Sequence, residues 1–275
     1  MPRSSEPTWS VGMTNFGFLY RASLDEALEA IARSGYRQVE LAPVPPHLLA
    51  TECDSAQRRQ LRRRFEDLDL ECVSVNPAEL NLVSANAEIR SLALRQYQAC
   101  IELAYDLGAH VQMIVPGRQN ALVPMPIDDA VRLLTAQLAV LLDDAHRTGV
   151  ALAIETVPFG FLETTEAVAG VVREISDPSL GIAVDCANTF AIENIADGVR
   201  LAGRDLLMAQ FSDAWRARWA HTSIGRAEIE FGPFFEALAE ISFTGPCIYE
   251  LVDGDDPAPR IGADLVAIRE RGWSR

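Results

Sequence analysis

Two acidic residues in the middle of the sequence each terminate a short apolar run. The run 150–154 ends on Glu155, and the run 180–184 ends on Asp185. Continuous apolar runs of about five residues are typical of strands buried on both faces of a parallel sheet. Residues 164–174 have the pattern of a helix, which predicts a parallel crossover with both carboxylates at one edge of the sheet. Such a pair is costly to bury without a compensating charge, so it predicts a divalent cation.

The elements that must position these carboxylates alternate along the chain. The predicted strands are 9–16, 36–41, 70–75, 111–115, 150–154, 180–184, 206–211 and 247–251. The predicted helices are 24–33, 54–68, 87–107, 126–148, 164–174, 195–202, 233–241 and 263–271. This alternation, without a linker or a break in composition, predicts an α/β fold that is a single (β/α)8 TIM barrel. An open doubly wound sheet is the alternative, but the glycine-rich first turn typical of that fold is missing from the sequence.

Polar residues stand at the C-terminal ends of several predicted strands, and in a barrel these ends open onto one mouth. They are Glu40, Glu155, Asp185, Gln210 and Glu250. The last four lie on consecutive strands, from the fifth to the eighth, and are therefore neighbours around the ring. Three carboxylates and one amide make a hard oxygen site, so we predict that these four bind one divalent metal ion, Mn²⁺, Mg²⁺ or Co²⁺ rather than Zn²⁺. The alternative is that one or two of them are only strand-end caps or ion-pair partners.

Composition disfavours several classes of function. The 275-residue chain has a formal net charge of −15, which would repel a nucleic-acid backbone. No run approaches the roughly 18 apolar residues of a membrane span, and the polar start MPRSSEPT is unlike a signal peptide. Five cysteines without a C-x-x-C pair indicate buried thiols in a reducing compartment. We expect a cytoplasmic protein that binds neither nucleic acid nor membrane, with a disordered segment at 1–8 and one catalytic domain at 9–275.

Several segments resemble the landmarks of the sugar phosphate isomerase/epimerase superfamily, the xylose isomerase-like TIM barrels. In chain order they are GYRQVELAPVPPH, ALAIETVP, GIAVDCANTF, AQFSDAW, HTSIGRAEIEF and FTGPCIYEL. The resemblance covers nearly the whole chain and implies the same fold. The superfamily also contains inosose dehydratases, 3-dehydroshikimate dehydratases, ketose 3-epimerases and endonuclease IV. A trinuclear zinc site like that of endonuclease IV needs more histidines at the mouth than this chain offers, so we set a DNA-repair function aside.

The resemblance places the metal ligands of the superfamily on the same four residues at the ends of the fifth to eighth strands. Most relatives have histidine at the position of Gln210, although some dehydratase-like branches have glutamine. Asn188 stands where many members have a histidine, and we expect it to contact the substrate. Arg216 matches an arginine that binds substrate oxygens in the epimerases, and Arg218 is the competing residue.

Two histidines lie in loops at the predicted mouth. His47, in the loop APVPPH, is either a substrate contact or a loop hydrogen-bonding residue. His221, in the loop after the seventh strand, is likewise a candidate substrate contact. The segment 221–226 departs from the pattern H-x-P-x-G-x-G of the superfamily because it lacks the proline and the second glycine, so the resemblance does not predict its geometry.

The resemblance implies proton transfer on a carbon next to a carbonyl of a small polyhydroxylated substrate. The metal would stabilise the enediolate, while Glu155 and Glu250 would remove and return the proton. The expected function is an isomerase or epimerase of a sugar or keto-polyol. A dehydratase of the 3-dehydroshikimate or inosose type is the alternative, and a non-catalytic or partner-dependent barrel subunit is a third option. Relatives often form dimers or tetramers, so the resemblance allows a homo-oligomer.

Overall fold

The computed structural model describes residues 9–78, 80–120, 122–158 and 160–274. The segment 1–8, for which we expect disorder, lies outside the described residues. Within the described part, the barrel strands are β1 Val11–Thr14, β2 Gln38–Leu41, β3 Glu71–Val75, β4 Val111–Ile114, β5 Ala151–Glu155, β6 Leu180–Asp185, β7 Leu206–Phe211 and β10 Cys247–Tyr249. Two further strands, β8 Asp213–Trp215 and β9 Arg218–Thr222, form a separate antiparallel pair.

The barrel closes in the order β1-β10-β7-β6-β5-β4-β3-β2, and all of its strand pairs are parallel. The helices are α1 Leu24–Arg33, α2 Ser55–Asp67, α3 Ala87–Leu107, α4 Ile127–Thr148, α5 Thr165–Ile175, α6 Cys186–Thr189, α7 Ile195–Ala202, α8 Gly232–Glu240 and α9 Ile261–Glu270. This topology confirms the predicted single (β/α)8 TIM barrel. In the described part of the chain, no helix is both long and apolar enough to cross a membrane.

Local signals explain where several helices begin and end. Ser23 accepts a hydrogen bond from the backbone of Glu26 and Glu26 reciprocates, so a capping box starts α1. Asp54 and Gln57 form the same arrangement at the start of α2. Gly108 ends α3 in the left-handed conformation, with φ of 81°, which a glycine adopts without steric cost. These ends fix the loops that lead into the strands.

Apolar side chains fill two regions, one between the strands and the helices and one inside the barrel. The inner cluster contains Val73, Val111, Met113, Ala153, Ala183, Met208 and Ile248, which come from six different strands. These residues form the packed floor on which the polar residues at the strand ends rest. All five cysteines are buried and unpaired, as expected for free thiols.

Strand register brings polar side chains to the mouth. Asp185 at the end of β6 pairs with Gln210 on β7, and Thr14 pairs with Glu40 on the far side of the ring. Glu155 ends β5, and Glu250 directly follows β10. The sequence did not predict the antiparallel pair β8–β9. His221 lies on β9 and forms a bridge with Val252, which follows β10. In this bridge the backbone N–H of Val252 donates to the carbonyl oxygen of His221 at 2.8 Å.

Candidate active site

A cavity of about 680 Å³ opens among the residues at the strand ends. Its described lining includes the predicted site residues Glu155, Asn188, His221 and Glu250, together with Arg118 and Trp219. Glu155 and Glu250 are only 6 % and 5 % exposed, so each meets the cavity with a small part of its side chain. Asp185 and Gln210 are 0 % exposed and do not line this cavity, so they lie below its surface.

Asp185, His221 and Glu250 form a cluster that could hold a metal ion, because one donor atom from each lies within 4.8 Å of the others. His221 Nδ1 is 3.3 Å from Glu250 Oε2 and 4.0 Å from Asp185 Oδ2. Ser212 Oγ also lies 3.0 Å from His221 Nδ1. The imidazole nitrogen therefore joins the predicted oxygen donors, which widens the choice of metal because imidazole suits transition metals.

Two buried oxygen atoms of this region have no hydrogen-bond partner among the described residues, Asp185 Oδ2 and Gln210 Oε1. The other oxygen of Asp185 accepts from the backbone N–H of Asn188 at 2.8 Å. The Gln210 amide nitrogen donates to Glu40 Oε1 at 2.9 Å. Buried polar atoms are nearly always satisfied, so free oxygens beside the carboxylates are what a cation site requires. The residues present fit a divalent ion.

Burial and mutual repulsion raise the pKa values of the carboxyl groups at the mouth. Burial raises the pKa of Glu40 to about 7, against hydrogen bonds from Asn76, Ser74 and Gln210 that lower it. Burial first and the charge of Asp185 second hold the pKa values of Glu155 and Glu250 well above their usual range. Burial lowers the pKa of His221, although Asp185 opposes this. The cluster therefore favours protons on its glutamates and a neutral imidazole until a cation compensates the charge.

Asn188 links the wall of the cavity to Glu155. Its amide nitrogen donates to Glu155 Oε1 at 2.9 Å, and its carbonyl oxygen accepts from Trp219 Nε1 at 2.7 Å. The guanidinium carbon of Arg118 lies 5.9 Å from the centroid of the Trp219 ring. A continuous set of contacts thus runs from the rim of the cavity to a predicted catalytic carboxyl group.

Asp213 organises the loop that carries His221 back toward the barrel. Its carboxylate accepts hydrogen bonds from the backbone N–H groups of Ala214, Gly225, Ala227 and Ile229, at 2.9 to 3.0 Å. Gly225 has a φ of 78°, which explains why this glycine remains in the loop. The loop keeps a defined shape through one buried carboxylate, without the missing proline and second glycine.

Two predicted substrate contacts lie elsewhere. His47 accepts from Asn15 Nδ2 at 3.0 Å through Nδ1 and contacts the carbonyl oxygen of Ala22 at 2.8 Å through Nε2. Both ring nitrogens are thus engaged within the protein, and His47 does not line the cavity.

Arg216 lies in a separate cavity of about 410 Å³. It donates to the carbonyl oxygen of Phe190 at 3.0 Å, and its guanidinium carbon lies 4.4 Å from the centroid of the Phe190 ring. His47 is thus held by hydrogen bonds within the protein, and Arg216 packs against Phe190. Arg218 stacks on Trp215, with its guanidinium carbon 5.2 Å from the ring centroid.

Sequence reasoning missed Arg118 and two hydrogen bonds of the site. Glu40 was recognised at a strand end, but its hydrogen bond to Gln210 was not foreseen. Arg118 follows β4 after a Pro-Gly pair, and a cation so close to a strand end was the available signal. The bond from Trp219 to Asn188 depends on the β8–β9 pair, for which the sequence has no strong turn signal.

Residues 28–271 match the family described as xylose isomerase-like TIM barrel, and the chain belongs to this family. Uncharacterized protein MJ1311 of Methanocaldococcus jannaschii is 26 % identical over 241 residues, which cover 85 % of this chain and 80 % of that protein. The 3-dehydroshikimate dehydratase of Pseudomonas putida is 23 % identical over 252 residues, 86 % of this chain. The match spans only 37 % of the dehydratase, which is a much longer protein.

Solved structures of sugar epimerases share the fold. A D-tagatose 3-epimerase-like protein has a TM-score of 0.82 at 21 % identity, with 96 % of each chain covered. A D-psicose 3-epimerase, crystallised in the presence of D-fructose, has a TM-score of 0.81 at 17 % identity, with 97 % of this chain and 100 % of that chain covered. These similarities establish the architecture of the barrel, and the chemistry must be argued from the residues of this chain.

Proposed function

We propose that the protein is a divalent-metal-dependent isomerase or epimerase that moves a proton on the carbon next to a carbonyl of a sugar or keto-polyol. The observation that carries the proposal is the joint placement of Glu155 and Glu250 on one cavity, above oxygens of Asp185 and Gln210 that have no hydrogen-bond partner in the described part of the chain. In the closed ring, β6 and β7 lie between the strands that bear the two glutamates. Two carboxyl groups are thereby separated by a site suited to a cation.

The residues that would hold the ion are Glu155, Asp185, Gln210 and Glu250, with His221 as an additional donor. A bound divalent ion supplies charge stabilisation for an enediolate oxygen and a fixed point for the carbonyl and its neighbouring hydroxyl. The mixed oxygen and imidazole set suits Mn²⁺ or Co²⁺ better than Mg²⁺, which prefers oxygen ligands and retains several waters.

The two glutamates supply the base and the acid. A proton on the substrate carbon passes to one carboxylate, and the other carboxyl group returns a proton to the same carbon in epimerisation or to the adjacent carbon in isomerisation. Burial and the charge of Asp185 raise the pKa values of both groups, which favours a proton on the carboxyl group that acts as the acid. Asn188 holds the carboxyl of Glu155 in place through its amide nitrogen.

A dehydratase of the 3-dehydroshikimate or inosose type is the second candidate. It is favoured by the similarity to the dehydratase of Pseudomonas putida over 86 % of this chain. Both reactions begin with proton removal and differ in the next step, because in dehydration a hydroxyl β to the carbanion departs as water. The two functions are separated by product, since dehydration of a dehydroshikimate creates a conjugated absorbance and epimerisation does not.

The test combines metal analysis with substrate screening. The purified protein is titrated with Mn²⁺ by calorimetry and then offered D-fructose, D-tagatose, an inosose and 3-dehydroshikimate, with products separated by chromatography. Glu155→Gln and Glu250→Gln should abolish turnover, whereas Glu236→Gln, at an exposed glutamate on α8, should retain it. A protein that binds no Mn²⁺ on titration and converts none of the substrates would instead support the non-catalytic barrel subunit.

A further inference from the structure

Arg118 lies where it can bind a negatively charged group of the substrate. Of the described residues that line the cavity, it is the only arginine, and the sequence contains no lysine. None of the ion pairs found among the described residues involves Arg118. We propose that the substrate carries a carboxylate at the end remote from its carbonyl, and that Arg118 binds this carboxylate at the rim of the cavity. The inference rests on the proposed function and specifies its substrate class.

The backbone around Arg118 is held in one shape. Gly117 has a φ of 116°, and a Cβ at this position would collide with Asn81 Oδ1. Asn81 Nδ2 in turn donates to the carbonyl oxygen of Arg118 at 2.9 Å, and Asn81 itself lines the cavity. Because this loop packs against Asn81, the backbone of Arg118 is fixed at the wall of the cavity. Its contact with the Trp219 ring, at 5.9 Å from the guanidinium carbon to the centroid, further limits the directions in which the guanidinium can extend.

The negative charge of the cavity explains why an anionic substrate would need Arg118. Four carboxyl groups lie at or below the floor of the cavity, those of Glu40, Glu155, Asp185 and Glu250. A divalent ion offsets part of this charge, but a substrate with a negative group would still enter against it and against the overall charge of −15. A neutral ketose needs no cation at the rim, whereas an anionic substrate does. An exposed arginine in the cavity lining gives the anionic end of a substrate a partner other than the carboxyl cluster.

The chemistry of one guanidinium favours a carboxylate over a phosphate. Arginine presents parallel N–H donors that match the two oxygens of a carboxylate. A dianionic phosphate is usually held by several donors, such as a helix N-terminus or a glycine-rich loop. The lining of the cavity offers a single cation within the described part of the chain. A phosphorylated sugar is therefore the outcome that would contradict this assignment.

The experiment compares ligands of one skeleton that differ at a single end. D-fructose, D-fructuronate and D-fructose 6-phosphate are titrated by calorimetry into the Mn²⁺-loaded protein and, in parallel, into the protein in EDTA. The variants are Arg118→Gln and, as a matched control, Arg95→Gln at an exposed arginine on α3. We expect D-fructuronate to bind wild type at least about tenfold more tightly than D-fructose. Arg118→Gln should remove that advantage without changing the affinity for D-fructose or Mn²⁺, and Arg95→Gln should change neither.

Three outcomes with D-fructose and D-fructuronate would overturn the inference. They are equal affinity of wild type for D-fructose and D-fructuronate, an equal loss for both ligands in Arg118→Gln, and no binding of D-fructuronate in either condition. Tighter, Arg118-dependent binding of D-fructose 6-phosphate would replace the carboxylate by a phosphate and also contradict it. The proposed function is tested separately, by the Mn²⁺ titration and by measuring turnover by the wild-type protein. An Arg118-dependent preference for D-fructuronate in EDTA would stand even if no metal bound.

Discussion

The amide nitrogen of Gln210 donates a 2.9 Å hydrogen bond to Oε1 of Glu40, across a sequence separation of 170 residues. Glu40 also accepts from Ser74 Oγ at 3.2 Å and from Asn76 Nδ2 at 3.4 Å, so donors surround its carboxyl group. An amide has one donor side and one acceptor side, and this bond leaves the carbonyl oxygen of Gln210 buried and partnerless among the described residues. Glu40 therefore orients Gln210 as a neutral oxygen donor.

Replacement of Glu40 tests this orienting role. In Glu40→Gln the new amide can donate to the carbonyl oxygen of Gln210 and turn it away from the carboxylates. Since partners that orient metal ligands typically contribute 10–100-fold to affinity, we expect Mn²⁺ affinity to fall by about that factor, measured by calorimetry. Glu71→Gln, at an exposed glutamate on β3, should leave the affinity at the wild-type value. Wild-type affinity in Glu40→Gln would show that Gln210 needs no such partner.

The barrel and the carboxylates at its mouth were predictable because both have local signatures. Apolar runs bounded by helices define buried parallel strands, and an acidic residue directly after such a run lies at the mouth by topology alone. Glu155 and Asp185 were located in this way, whereas Gln210 and Glu250 were located from their positions near the C-terminal ends of predicted strands. The bond between Gln210 and Glu40 has no local signature, because it joins strands on different sides of the closed ring.

The loop after β7 shows why the rest of the site, including the position of His221, could not be predicted from the sequence. β8 is only three residues long, and the residues between β8 and β9 lack the glycine or asparagine of a typical hairpin turn. Its shape depends on Asp213, whose acceptor role is visible only in the folded structure. That loop sets the position of His221 beside Glu250. The sequence therefore predicted that His221 lies at the mouth, but not that it is a candidate metal ligand.

Loss of the Asn188 side chain should change the pH dependence of catalysis. The hydrogen bond from Asn188 lowers the pKa of Glu155 against burial, so Asn188→Ala should raise that pKa further. If Glu155 acts as the base, the acid limb of the kcat/KM profile for the identified ketose should move to higher pH. Trp219→Phe removes the indole N–H that orients Asn188 and should move the limb in the same direction by less. An unshifted limb in both variants would exclude Glu155 as the group that titrates.

Removal of the Asp213 carboxylate should destabilise the protein. Four backbone N–H groups lose their acceptor in Asp213→Ala, and the loop that carries His221 loses its anchor. Because hydrogen bonds to a charged group contribute about 1.5–3 kcal/mol each and the loop can partly rehydrate, we expect the free energy of unfolding to fall by about 3 kcal/mol in urea titration. Asp67→Ala, at an exposed aspartate that ends α2, should have a stability close to that of wild type. A similarly small effect in Asp213→Ala would mean that the loop is held by other contacts.

The metal-free protein should become less stable as pH rises through neutrality. The pKa of Glu40 rises from 4.5 to about 7 on folding, and those of Glu155 and Glu250 rise well above 4.5. Folding therefore favours the protonated carboxyl groups, and their contribution to stability is complete below pH 4.5. The contribution of Glu40 is lost as pH rises through about 7, and those of Glu155 and Glu250 change in the same direction. Thermal unfolding in EDTA should show a lower Tm at about pH 8 than at about pH 5.5. Saturating Mn²⁺ should raise the Tm by more at the higher pH, because the metal-binding carboxyl groups are ionised there. A triple variant with glutamine at positions 40, 155 and 250 should lose most of this pH dependence, and its persistence would assign the effect to other buried groups.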